Sequence, residues 1–210
     1  MQGGAEFARL DLEVSGQSRV YTHPIDKTVD IAVVPALPDQ KEFNFKCLPD
    51  AFLTTKESFS KLNISEGSDV FFTGLFTPHY GQHANYPIAR FGRVAMFPNE
   101  RIYWKEANKD PEMLELYLIE TQSFGGNSGS PVFFYLCSDR LRGSLVLGPP
   151  ELKLAGVMKG SFVAGSPVVE VAAKNAVALQ NMGIAAVVPS YLLHEILFSE
   201  ELRRQRAANP

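Results

Sequence analysis

Cysteine is scarce in this chain, tryptophan scarcer, and no stretch stays apolar for long. Two cysteines, Cys47 and Cys137, stand 90 positions apart in 210 residues. The N-terminus alternates polar and apolar residues and shows no basic start followed by an apolar stretch. Two scattered cysteines without such a leader fit idle thiols in a reducing compartment better than a disulfide framework, so a cytoplasmic location is the expectation. No close Cys/His cluster exists, which argues against a structural zinc site. No apolar run reaches the ~18–20 residues of a membrane helix, and no membrane partner is expected. A basic surplus is missing too: 20 Lys and Arg face 23 Asp and Glu, a net charge of −3. That balance speaks against nucleic acid as a partner. There is no internal repeat and nothing that bears on oligomeric state.

What is present is an ordinary globular composition, 45% apolar and 20% charged. A chain of this length buries roughly 70% of its unfolded surface and needs no metal or disulfide to hold a core. Short apolar runs rich in β-branched and aromatic residues lie between Gly, Pro, Asn and Asp breaks, and they predict strands. The candidates are Phe7–Val14, Arg19–Thr22, Asp30–Val34, Val70–Phe76, Ile88–Phe97, Leu116–Gln122, Pro131–Cys137, Leu152–Ser161 and Gly183–Pro189. Two segments read as helix. Thr54–Leu62 is short and polar. In Ser190–Arg206, Ser190 is a good N-cap, Leu192, Leu193, Ile196 and Leu197 form one apolar face, and Arg203, Arg204 and Arg206 sit where the dipole favours cations. Such a helix docks on its own domain or on a partner. Ala164–Met182 fits a helix or an excursion between strands. Strands that do not alternate with 10–15-residue helices predict an all-β barrel or sandwich.

One element carries chemistry: Gly125-Gly126-Asn127-Ser128-Gly129-Ser130-Pro131. It joins two predicted strands. Its glycines open backbone angles closed to other residues. A serine held there exposes its hydroxyl beside convergent backbone N–H groups, the arrangement that stabilises an oxyanion in acyl transfer. A glycine-rich turn with an incidental serine fits the spacing as well. A phosphate loop does not, because Lys-Ser/Thr and a helix do not follow. Nor does a nucleophile elbow, because Pro131 continues as strand.

G-N-S-G-S-P resembles the G-[DN]-S-G-G-P signature of chymotrypsin/trypsin-like serine peptidases, especially their bacterial high-temperature-requirement branch. Three more segments resemble the family in the same order: His23-Pro24-Ile25-Asp26 with Asp30-Ile31-Ala32-Val33-Val34, then Leu154–Gly160, then Met182–Ser190. The resemblance implies an all-β fold of two antiparallel β-barrels with the site between them and a C-terminal α-helix. It implies peptide-bond hydrolysis through an acyl-serine, a peptide or protein substrate, and no cofactor. Ser128 would be the nucleophile, Asp30 the aspartate that orients the histidine, and the N–H groups of Gly126 and Ser128 the oxyanion hole. Substrate would meet Gln122 at the pocket base and Lys159, Gly160 and Ser161 on the wall, with the Lys159 side chain reaching solvent. Asp26 rivals Asp30, and the strand directly after Asp30 favours the latter.

The sequence departs from the family at two places. Only 29 residues precede Asp30, and their one histidine, His23, matches a non-catalytic turn of the family. The general base is therefore missing, and with it much of the first barrel. This points to an N-terminally incomplete domain: 1–50 a remnant of the first barrel, 51–68 linker, 69–189 the second barrel, 190–206 the terminal helix. The chain as given is then inactive, or a non-catalytic pseudoprotease that binds peptides or acts as a scaffold. His79 and His83 are loop histidines, and His194 is structural. The second departure is Ser130, where the family has glycine, which places a side chain beside the oxyanion turn.

Overall fold

The computed structural model describes residues 9–36, 38–76, 86–106, 109–123, 126–137, 149–168 and 176–208, apart from the side chains of 164–168 and 176–180. In chain order, β1 (Glu13–Val14) and β2 (Gln17–Ser18) form a hairpin. Its turn residues Ser15 and Gly16 both have positive φ, 54° and 77°, as a primed two-residue turn requires. β3 (Tyr21–Thr22) pairs with β4 (Ala32–Val33). A 3-10 turn at Asp50–Phe52 and α1 (Lys56–Lys61) lead into β5 (Asp69–Leu75) and β6 (Pro87–Met96). β7 (Ile102–Trp104) and β8 (Glu112–Leu114) make a second small hairpin. Then come β9 (Tyr117–Thr121), β10 (Pro131–Leu136), β11 (Glu151–Val168), β12 (Ala176–Pro189), α2 (Ser190–Leu197) and α3 (Glu200–Ala208).

Six of these strands close into an antiparallel barrel in the order β10–β11–β12–β9–β6–β5, and β5 pairs back to β10 with Phe72 opposite Val132. Closure leaves those strands no free edge. Period-two alternation fills the inside: Val70 and Phe72 of β5, Tyr117 and Ile119 of β9, Val132, Phe134 and Leu136 of β10, and Ala185 and Val187 of β12 share one core. Two glycines permit close strand approach, since a Cβ at Gly92 would lie 2.2 Å from the Glu120 carbonyl and one at Gly156 would lie 2.1 Å from that of Val188.

The opposite face of β12 is covered as well. Ala186 and Val188 pack with Val29, Leu114, Leu116 and Leu192 in a second cluster, joined by Ile31, Ile102, Trp104 and Phe162. The N-terminal arm, the β7–β8 hairpin and α2 are thus held on the barrel wall by apolar burial. The segment expected as a linker is fastened too. Thr54 donates its hydroxyl to the Leu154 carbonyl (2.6 Å), and Ser190 donates to the Thr54 carbonyl (2.7 Å).

The expectation of a mostly β chain with a terminal helix is met at this level. The described residues hold one closed barrel, preceded by two separate two-stranded sheets. Several elements differ from expectation. Of the strand expected over Phe7–Val14 only Glu13–Val14 is paired; Phe7 and Ala8 lie outside the described residues, and Leu10 and Leu12 are exposed with no strand to meet. Part of Ala164–Met182 is neither helix nor excursion: β11 and β12 continue as a hairpin arm, with Val163 opposite Asn181 and Val168 opposite Ala176. The terminal helix is two helices, because Ser199 starts a new one: its carbonyl accepts the Arg203 N–H, and Glu200 and Glu201 fill the first turn.

Candidate functional site

Ser128 sits in the turn between β9 and β10, inside the barrel's own connectivity. Gly126 and Gly129 have φ of 98° and 85°, values that a side chain rarely tolerates. The turn is pinned on both sides of the serine: the Gly129 N–H donates to the Met158 carbonyl (2.8 Å), the Ser130 N–H to the Asn127 carbonyl (3.1 Å), and the Met158 N–H to the Ser130 carbonyl (2.9 Å). Ser128 itself stays exposed. Among the described residues no backbone carbonyl takes the N–H of Gly126 or Ser128. The Ser128 hydroxyl donates to the main-chain carbonyl of Lys159 at 2.5 Å.

Ser130 does not crowd this turn. It is buried, and its hydroxyl fills the space over Gly74 of β5, where a Cβ would come within 2.6 Å of the Ser130 Oγ and 3.1 Å of the Asn127 Oδ1. A glycine on β5 thus accommodates a serine on the turn.

A cavity of about 350 Å³ opens beside Ser128, lined by Ser123, Asn127, Met158, Gly160, Ser161 and Asn181 among others. The Ser123 and Ser161 hydroxyls touch, and the Asn181 amide donates to the Ser123 carbonyl. Gly160 and Ser161 therefore stand where expected. Gln122 does not: it is exposed, and its carbonyl accepts from Arg90 at 3.3 Å. The alternation that turns Tyr117, Ile119 and Thr121 inward carries Ser123 inward and leaves Gln122 outside. Period two alone could have indicated this.

Asp30 reaches the site from the N-terminal arm. Its neighbours Val29 and Ile31 pack into the second cluster, so a residue between them on extended backbone faces the other way. Its carboxylate accepts from Lys159 Nζ at 2.6 Å. The same ammonium donates to Glu106 at 2.8 Å and lies 5.4 Å from the centroid of a Trp104 ring. The Lys159 side chain, expected to reach solvent, is only 4% exposed. Two carboxylates and an aromatic face offset its desolvation. Burial works against its charge, but the hydrogen bonds from Asp30 and Glu106 outweigh burial and hold its pKa above the ordinary lysine value. Lys109, Lys159 and the Trp104 N–H bring the Glu106 carboxyl down to about 2.

Asp26 takes no part in this. The Thr28 hydroxyl and N–H bind its carboxylate, Arg101 adds a further bond, and its pKa falls to about 2. Two of the four histidines are described. His23 is buried; the Asp26 N–H donates to its Nδ1 (2.9 Å), so Nε2–H donates to Glu195 (2.9 Å). His194 stacks on Phe198, with ring centroids 4.3 Å apart. Neither is bonded to Ser128 or Asp30. His79 and His83 lie outside the described residues. Lys159 does not replace them, because its ammonium is held charged and turned onto carboxylates, whereas a base must be neutral and within reach of the hydroxyl.

Cys47 and Cys137 are free thiols. Among the described residues no group of three His, Cys, Asp or Glu is placed to hold a metal ion, and no helix is long and apolar enough to cross a membrane. Compared with family models, with curated proteins and with solved structures, the chain finds no match. Function has to be argued from the site.

Proposed function

We propose that this chain is a trypsin-like serine peptidase domain, with its six-stranded barrel as the second of that family's two. Ser128 stands in the nucleophile's place, the N–H groups of Gly126 and Ser128 form the oxyanion hole, and Asp30 is the triad carboxylate. One observation carries this reading. The G-N-S-G-S-P turn joins two strands of a closed antiparallel barrel and holds an exposed serine at a cavity, with two neighbouring N–H groups free of backbone acceptors among the described residues. The Ser128 Oγ would attack the carbonyl carbon of a peptide bond, and the two N–H groups would receive the developing oxyanion. The hydroxyl proton then needs an imidazole, and neither described histidine can take it. The expected activity of this chain is therefore residual, roughly 10³-fold over water.

A second reading is a non-catalytic domain that uses the same cavity to hold peptides, in place of a peptidase. Lys159 favours it, because its ammonium occupies Asp30 where an imidazole would have to bond. The two readings part on labelling with a fluorophosphonate probe, applied to this chain and to a version extended upstream with any encoded histidine. The peptidase reading expects the extended form to label at Ser128 and the Ser128→Ala variant to stay unlabelled. If neither form labels while both are folded, the peptidase reading fails.

A further inference from the structure

A second cavity, of about 610 Å³, shares no residue with the one beside Ser128. It lies between α1, the 97–101 connection after β6, the start of β9, and Tyr191 of α2. Its floor is aromatic. Phe59 and Phe97 meet edge to face with centroids 5.2 Å apart, Phe97 and Tyr117 are 5.1 Å apart, and Tyr191 lies 6.2 Å from Phe59. Within this floor the Tyr117 hydroxyl is buried with no hydrogen-bond partner, although the residue is only 2% exposed. Buried hydroxyls are normally bonded, and its neighbour conforms: Tyr191 donates to Glu115 at 2.8 Å.

The rim decides the sign of the ligand. Five charged residues line the cavity: Lys56, Glu66, Glu100, Arg101 and Glu115. Both cations are already paired, Lys56 with Glu115 at 3.3 Å and Arg101 with Asp26 outside the cavity. Among the described residues, Glu66 and Glu100 have no positive partner. Glu66 accepts only the Phe97 N–H, at 3.2 Å. Aromatic faces carry negative charge as well.

We infer that this cavity binds an organic cation, a protonated amine or guanidinium on an apolar stem. An N–H of the cation would be donated to the Tyr117 phenol oxygen, and Glu66 and Glu100 would supply the counter-charge. The volume lies within the ~300–1,000 Å³ typical of small-molecule sites. Burial pushes the Tyr117 phenol pKa well up, so the oxygen stays a neutral acceptor. The cation could be a free amine or a basic side chain of a peptide; the chemistry at the cavity is the same.

The test is calorimetric titration of the whole chain, with ¹H–¹⁵N spectra, against phenethylamine, N-acetyl-arginine amide and, as the matched anion, phenylacetate. The cations are expected to bind and to shift amides of residues 97–101 and 115–117. Tyr117→Phe should weaken binding about fivefold, the loss of one hydrogen bond, with a melting temperature that holds or rises because an unpaired buried group is gone. Glu100→Gln should weaken it further at low salt than at high salt. Binding of phenethylamine alone assigns the site to free amines, and binding of the arginine amide alone assigns it to a peptide side chain. The inference is overturned if phenylacetate binds as tightly as phenethylamine or if no ligand shifts these amides. A lower melting temperature in Tyr117→Phe at unchanged affinity overturns it too, because the hydroxyl is then satisfied within the fold.

Discussion

Lys159 illustrates how one side chain can be misjudged from its type. A lysine on a strand ordinarily extends into water, yet this one bridges Asp30 and Glu106 across three separate elements. Neither partner is near it in sequence, so nothing local announces the bridge. The pair also has a pH signature. Glu106 has a folded pKa depressed from 4.5 to about 2, so the stability it contributes is complete above its unfolded value and is lost as the pH falls through its folded one. Lys159→Met removes one of its donors and leaves Lys109. The Glu106 titration, followed by carboxyl NMR, should then move up from about 2 towards 4.5, and the acid-unfolding midpoint should rise with it. A Glu106 titration left unmoved would show that Lys159 is not its partner in solution.

At the scale of elements, the turn between β9 and β10 is built with its neighbours rather than by itself. Glycines at positions 126 and 129 were legible as backbone permissions, and both have positive φ. The place of Ser130 was not legible, because the room for its hydroxyl is made by Gly74, on a strand more than fifty residues earlier. Gly74→Ala should push the Ser130 and Asn127 side chains aside and destabilise the domain by about 1–3 kcal/mol, the usual cost of overpacking. Adding Ser130→Gly should restore most of that loss in a double-mutant cycle read by denaturant melting. Additive losses would place the two residues apart. The same logic explains Gln122 and Ser123. The strand was legible and its period is two, but which face looks inward at its end depends on the barrel it joins.

For the whole molecule, two apolar clusters share β12, one inside the barrel and one outside it. The outer cluster carries the arm with Asp30 to the serine. Leu192 of α2 is buried in it, and Leu192→Ala should cost about 2–5 kcal/mol. Limited proteolysis should then clip the arm over residues 9–36 while the barrel persists. An arm that stays protected would mean the outer cluster is not what holds it.

By itself the sequence determined the β character, the approximate place of most barrel strands, the helical C-terminus, and the one turn where an exposed serine meets convergent N–H groups. These are local properties: side-chain period, β-branching, capping residues and glycine conformational freedom act over a few residues. Only the tertiary structure decided that the strands close into a barrel, that Asp30 rather than Asp26 reaches the serine's surroundings, that Lys159 turns inward, and that an aromatic cavity with an unpartnered hydroxyl forms elsewhere. Each of these depends on pairings between residues tens to more than a hundred positions apart. Such pairings follow from which faces are buried together, and the order of residues along the chain does not state that.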